Sequence, residues 1–210
     1  SVEGDYERIR VLCQPGGSLD SSYCFNGVIL QKEFMLPNME TSPNGQIILL
    51  NAGLQNEKID DSMQVQFSSA KEYQSYRQQV GRGDWTEKAE IIAQYLPDGG
   101  ALLVRDGVNE VVAAILSRKN ISVVHRIPES SMKALSQLLN LDPVHAPEDI
   151  SEVASCEIAQ QIIGDMQYVV VKNDDSALTT LVLRGATRQT LDETERGFED
   201  ALGVVSMAYK

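Results

Sequence analysis

The chain is poor in the residues that usually carry metal or redox chemistry. It has three cysteines, Cys13, Cys24 and Cys156, and two histidines, His125 and His145, in 210 residues. No Cys-x-x-Cys pair occurs, which argues against a zinc site of the usual kind. Odd-numbered, widely spaced cysteines read as reduced thiols serving as small packing residues, hence a cytoplasmic protein. Long apolar runs are also missing. Nothing approaches the roughly 20 residues of a membrane span, and no secretory signal opens the chain. Basic residues are scarce: 18 Lys+Arg against 30 Asp+Glu give a formal charge of −12. That balance argues against nucleic acid and anionic membranes as partners, because phosphates are held by clustered Lys and Arg.

Catalytic signatures are missing as well. There is no Gly-x-Ser-x-Gly around a nucleophile, and neither histidine has a catalytic flank. Gly-x-Gly-x-x-Gly and the Walker sequence are absent. The acidic pairs Asp60-Asp61, Asp174-Asp175 and Glu193/Glu195 read as surface solvation in so acidic a chain. Arg82-Gly83-Asp84 and the sequon Asn120-Ile121-Ser122 match short motifs in the wrong setting for adhesion or glycosylation.

What is present is an ordinary globular composition, 42% hydrophobic and 23% charged, enough to bury a core. The first residue is Ser, and a helical pattern runs to Lys210, so a segment of a longer protein is expected. Residues 5–13 and 23–33 read as strands. Ile47-Ile48-Leu49-Leu50 reads as a strand buried on both faces. A polar helix is expected over about 70–80, with a thin stripe of Ala70, Tyr73, Tyr76 and Val80, too little apolar surface to sit on a core. Gly81-Arg82-Gly83-Asp84 interrupts it, and a second helix runs from Trp85 to Leu96. Strand 101–104, a helical pattern over 108–116, strand 121–124 and a helix after Pro128 then form βαβ units with parallel strands. A hairpin turning at Gly164-Asp165, a strand over 178–183 and a long helix over 190–209 complete the α/β reading.

Two apolar groups stand out. Phe34, Met35, Leu36 and Met39 cluster around Pro37 in a loop, and Met132, Leu135, Leu138 and Leu139 stripe one helix. Such a stripe is more often core packing. If it lay open beside the loop, it would form an adaptable hydrophobic patch.

The strings Gly16-Gly17-Ser18, Phe25-Asn26-Gly27-Val28-Ile29-Leu30 and Pro37-Asn38-Met39 lead to a family resemblance. The most specific string is Thr179-Thr180-Leu181-Val182-Leu183-Arg184-Gly185-Ala186-Thr187, followed by Asp192-Glu193-Thr194-Glu195-Arg196 and Asp200-Ala201. In these strings and in element order the chain resembles the group II chaperonins, the thermosome and the TCP-1 ring complex. A theta-like subunit and a divergent paralog both fit. The resemblance implies a GroEL-like apical domain over 28–186 with a helical protrusion over about 55–90. Residues 1–27 and 187–210 would be intermediate-domain segments.

It further implies an apical unit that captures and encloses unfolded polypeptides. Client contacts would fall on Phe34, Met35, Leu36, Met39, Met132, Leu135, Leu138 and Leu139. Tyr73, Tyr76, Val80 and Trp85 would belong to the lid, and Gly27 and Gly185 would be hinges. Partners would be unfolded or partly folded polypeptides and other subunits of a double ring. ATP and Mg would belong to the parent chaperonin, with no cofactor, metal or catalytic residue in this segment. The acidic surface would favour basic or amphipathic clients. Two other readings stand beside it: a chaperonin-derived adaptor that holds one specific partner, and, more remotely, a small α/β enzyme with a deep pocket.

Overall fold

Ile47 to Leu50 form the centre of the molecule because they have no polar face to give to water. In the computed structural model, which describes residues 8–36, 42–55 and 84–208, each of the four is at most 1% exposed. They belong to β3 (Ser42–Leu50), which pairs antiparallel with β6 (Ala154–Ile163) and parallel with β4 (Gly100–Val104). β5 (Ile121–Val124) adds in parallel to β4, and both strands are buried throughout. Helix α1 (Asp84–Tyr95) lies in the chain between β3 and β4, and α2 (Glu110–Ser117) connects β4 to β5. This is the expected strand–helix–strand pattern.

Side chains alternate along these strands and so divide between two cores. Ile48, Leu50, Leu102 and Val104 meet Ala89, Ile92 and Leu96 of α1 and Val112 and Leu116 of α2. Ile47, Leu49, Ala101 and Leu103 meet α3 (Glu129–Leu139) on the other side, with Val28 and Leu30. The sheet is therefore covered on both faces where its strands are parallel.

The remaining strands are mostly antiparallel. β6 turns through Gly164, at φ +67°, into β7 (Met166–Lys172), as the Gly164-Asp165 turn predicts. β8 (Thr179–Gly185) pairs parallel with β1 (Ile9–Pro15) and leads to α4 (Arg188–Ala208). The order across the sheet is β1-β8-β2-β7-β6-β3-β4-β5.

β2 (Tyr23–Leu30) changes partner midway. Tyr23 to Asn26 pair with β8, and Gly27 to Leu30 pair with β7. Gly27 sits at the change. Its N–H donates to the Leu178 carbonyl at 3.0 Å, and its carbonyl accepts from Thr180 Oγ1 at 2.5 Å. A Cβ here would run into the Val171 carbonyl and approach the Phe25 ring to 2.7 Å. Gly27→Ala is therefore expected to lower stability by about 1–3 kcal/mol in urea unfolding, through overpacking against backbone.

Some sequence expectations fall outside the described residues: Met39, Tyr73, Tyr76, Val80, the helix over 70–80 and most of the protrusion. Trp85 is described, and it corrects the grouping by sequence. It is 6% exposed and packs in the α1–α2 core, so the chain from Asp84 onward belongs to the body. Its apolar partners at 89, 92 and 96 follow at helical spacing and draw the indole inward. The first strand is also shifted, to Ile9–Pro15. Cys156 is buried, as a packing thiol should be, with its pKa pushed up to about 12 by burial and then by Glu157. Cys24 is exposed, contrary to expectation.

Candidate functional site

Pro128 opens α3 without a capping side chain, and its carbonyl accepts the N–H groups of Ser131 and Met132, both at 2.9 Å. Asn140 closes the helix in the left-handed conformation at φ +49°, a role asparagine fills with little strain. Between these ends the four apolar residues share one face and all point inward. Met132 is 2% exposed, Leu135 0%, Leu138 1% and Leu139 7%, and all pack in the core that α3 shares with β2, β3 and β4. The notion of an open client patch on these side chains is thereby corrected: spacing of three and four marks the face that meets the sheet. The face turned to solvent carries Ser130, Lys133 and Gln137.

The segment after β2 is also anchored. Phe34 is 9% exposed in the same core, and its N–H donates to Gln160 Oε1 at 3.0 Å. The Met35 N–H donates to the Val123 carbonyl at 2.8 Å, and Met35 and Leu36 are half-buried against the α1–α2 core. These three side chains tie the loop to the body; they are not free apolar surface.

Charge around this region departs from the chain as a whole. His125 and Arg126 follow β5 directly, and Lys32 lies in the segment after β2. Burial first, then the charges of Arg126 and Lys32, lower the pKa of His125, which keeps the ring neutral at pH 7. Its Nδ1 is buried with no hydrogen-bond partner among the described residues. Arg126 takes φ +55°, and its N–H donates to the Asp106 carbonyl at 2.9 Å. Arg105 binds Asp106 at 2.8 Å. Arg105, Asp106, Arg126 and Glu129 border a cavity of about 640 Å³ that also reaches Gly53 and Gly107. It opens beyond the carboxyl ends of β3, β4 and β5, where ligands of parallel α/β sheets are commonly bound. The sequence reading tied a pocket near a strand's carboxyl end to the enzyme alternative alone and named none of these residues, because the walls come from three separate strand ends.

The two glycines expected to be hinges, Gly27 and Gly185, sit at close approaches. At Gly185 an added Cβ would lie 3.1 Å from Cγ of Leu191, and neither it nor Gly27 has positive φ. Among the described residues no group of three His, Cys, Asp or Glu is placed to hold a metal, and no helix is long and apolar enough to cross a membrane.

Comparison with known proteins accounts for this architecture. The model of the TCP-1/cpn60 chaperonin family matches residues 2–210. A thermosome subunit of Methanopyrus kandleri is 25% identical over 97% of this chain and 38% of its own length. Thermosome subunit alpha of Halobacterium salinarum is 28% identical over 96% of this chain and 36% of its own length. The chain thus spans little more than a third of these curated relatives. Among solved structures, the open-state monomer of a group II chaperonin from Methanococcoides burtonii superposes with a TM-score of 0.74 at 22% identity, over 96% of this chain and 44% of that one. The match along nearly the whole chain, together with the mixed sheet and its covering helices, shows that this chain belongs to the TCP-1/cpn60 chaperonin family and has the group II chaperonin fold.

Proposed function

We propose that this chain is the client-binding and lid-forming apical segment of an ATP-dependent chaperonin subunit, one that captures and encloses unfolded polypeptides. The observation that carries the reading is the two-sidedness of α3. Its apolar stripe lies in the core, and its outer face carries the exposed residues Ser130, Lys133 and Gln137. Phe34, Met35 and Leu36 hold the neighbouring segment in place beside the body. Contact with clients is therefore polar and selective at α3, and Met132, Leu135, Leu138 and Leu139 act by supporting the helix.

In the parent subunit, ATP and Mg would act in a domain outside these residues. The apical part, residues 28–186, would turn as a rigid body about Gly27 and Gly185, beside sister subunits of a double ring in the cytoplasm. A second reading, a chaperonin-derived adaptor for one partner, is favoured by the same polar outer face, because polar contacts discriminate where apolar ones collect.

Capture of several unrelated denatured proteins by the 210-residue chain separates the two readings. General capture that falls about fivefold in a Lys133→Glu, Gln137→Ala variant, the scale of an exposed polar contact, supports the chaperonin reading. Failure to capture any of them supports the adaptor. Equal capture by both forms of the chain removes α3 as the contact.

A further inference from the structure

We propose that the cavity at the carboxyl ends of β3, β4 and β5 is a carboxylate-binding site, taking an acidic side chain or the terminal carboxylate of a bound polypeptide on Arg126. The inference rests on the polypeptide-binding reading and adds the chemistry of what is bound. The two arginines of the cavity are not equivalent. Arg105 is neutralised by Asp106 at 2.8 Å, with Glu129 adding to its negative surroundings. Arg126 is exposed, and no carboxylate among the described residues pairs with it. Its backbone is fixed in the left-handed region by the bond to the Asp106 carbonyl, which holds the residue at the cavity rim.

Lys32 does not border the cavity, so Arg126 is the cation there that is left without a carboxylate among the described residues. Arg126 is thus an unpaired positive charge on a chain whose net charge is −12. A guanidinium takes a carboxylate through two parallel hydrogen bonds. A polyphosphate or nucleic acid would meet the repulsion of the whole acidic chain as well as Glu129 and Asp106. A single carboxylate carries the smallest charge that satisfies Arg126. The volume, about 640 Å³, accommodates a few side chains of an extended segment.

The test measures fluorescence anisotropy of two labelled, otherwise neutral ten-residue peptides, an acidic one with a single central Glu and a basic one with Lys in its place, on the 210-residue chain. The acidic peptide is expected to bind more tightly, and Arg126→Asn, which tolerates positive φ, to weaken it about tenfold. Glu129→Gln, an exposed change in the first turn of α3, is expected to tighten binding by removing repulsion. An acidic peptide with an amidated C-terminus tells the two sources apart: unchanged affinity assigns the site to side chains, and lost affinity to the chain terminus. Equal binding of both peptides, or affinity untouched by Arg126→Asn and Glu129→Gln, overturns the proposal. Because capture of denatured proteins is read separately, a chain that captures them without preferring the acidic peptide refutes this site alone. A chain that binds the acidic peptide without capturing them supports the site and refutes general capture.

Discussion

Leu135→Asp is expected to leave the chain unfolded, with native circular dichroism and the cooperative urea transition both lost. Leu135 is 0% exposed at the centre of the face that α3 presents to β2, β3 and β4. Removing the packed leucine costs about 2–5 kcal/mol. The new carboxylate finds no positive partner in that core and adds several kcal/mol more, whether it stays charged or takes up a proton. Together these approach or exceed the roughly 5–15 kcal/mol by which domains are stable. Gln137→Asp is the control, two positions along on the exposed face. It is expected to shift stability by no more than about 0.5 kcal/mol. A folded Leu135→Asp protein with an unchanged urea midpoint would show that the stripe is not core after all.

Trp85→Ala is expected to cost about 3–5 kcal/mol. The indole is 6% exposed, packs with Ile92 and Leu96 among others, and lies 5.0 Å from Nζ of Lys88. It is the sole tryptophan of the chain, so its fluorescence reports on this site alone. Emission of the native protein should be blue-shifted and should move to the red in one step with the loss of helix on urea unfolding. An indole emitting as if in water, with Trp85→Ala as stable as the parent, would return Trp85 to the protrusion.

These two residues also show where sequence reading stops. The spacing of 132, 135, 138 and 139 announces a helix with one apolar face, and that helix exists. Periodicity says nothing about what covers the face, and a resemblance in element order filled that gap with solvent. For Ile47 to Leu50 no such choice existed: four apolar residues in a row bury both sides of a strand whatever surrounds them. The hairpin at Gly164 and the β4–α2–β5 unit were legible for similar local reasons. The anchoring of Phe34 was not, because the Gln160 amide that accepts its N–H lies far along the chain. Charge behaved likewise. The sum of −12 suggested a client-binding surface that favours basic segments, but Arg126, at the cavity where α3 begins, has no carboxylate paired with it among the described residues. A net charge is a property of composition, and selection at a site depends on which few charges the fold brings there and leaves unpaired.

The pairing of β1 with β8 has a kinetic consequence. Ile9 lies opposite Thr179 and Pro15 opposite Gly185, so two segments from near the two ends of the sequence must meet in register. By contrast, the β6–β7 hairpin closes over two residues, and β3, β4 and β5 assemble through successive crossovers. The entropy of closing so long a loop must be met before its contacts return anything, which slows folding. The β1–β8 clasp is therefore expected to zip last. In hydrogen exchange under native conditions the amides of β1, at the edge of the sheet, should open at lower free energy than those of β3 and β4, letting β1 fray while the buried strands stay folded.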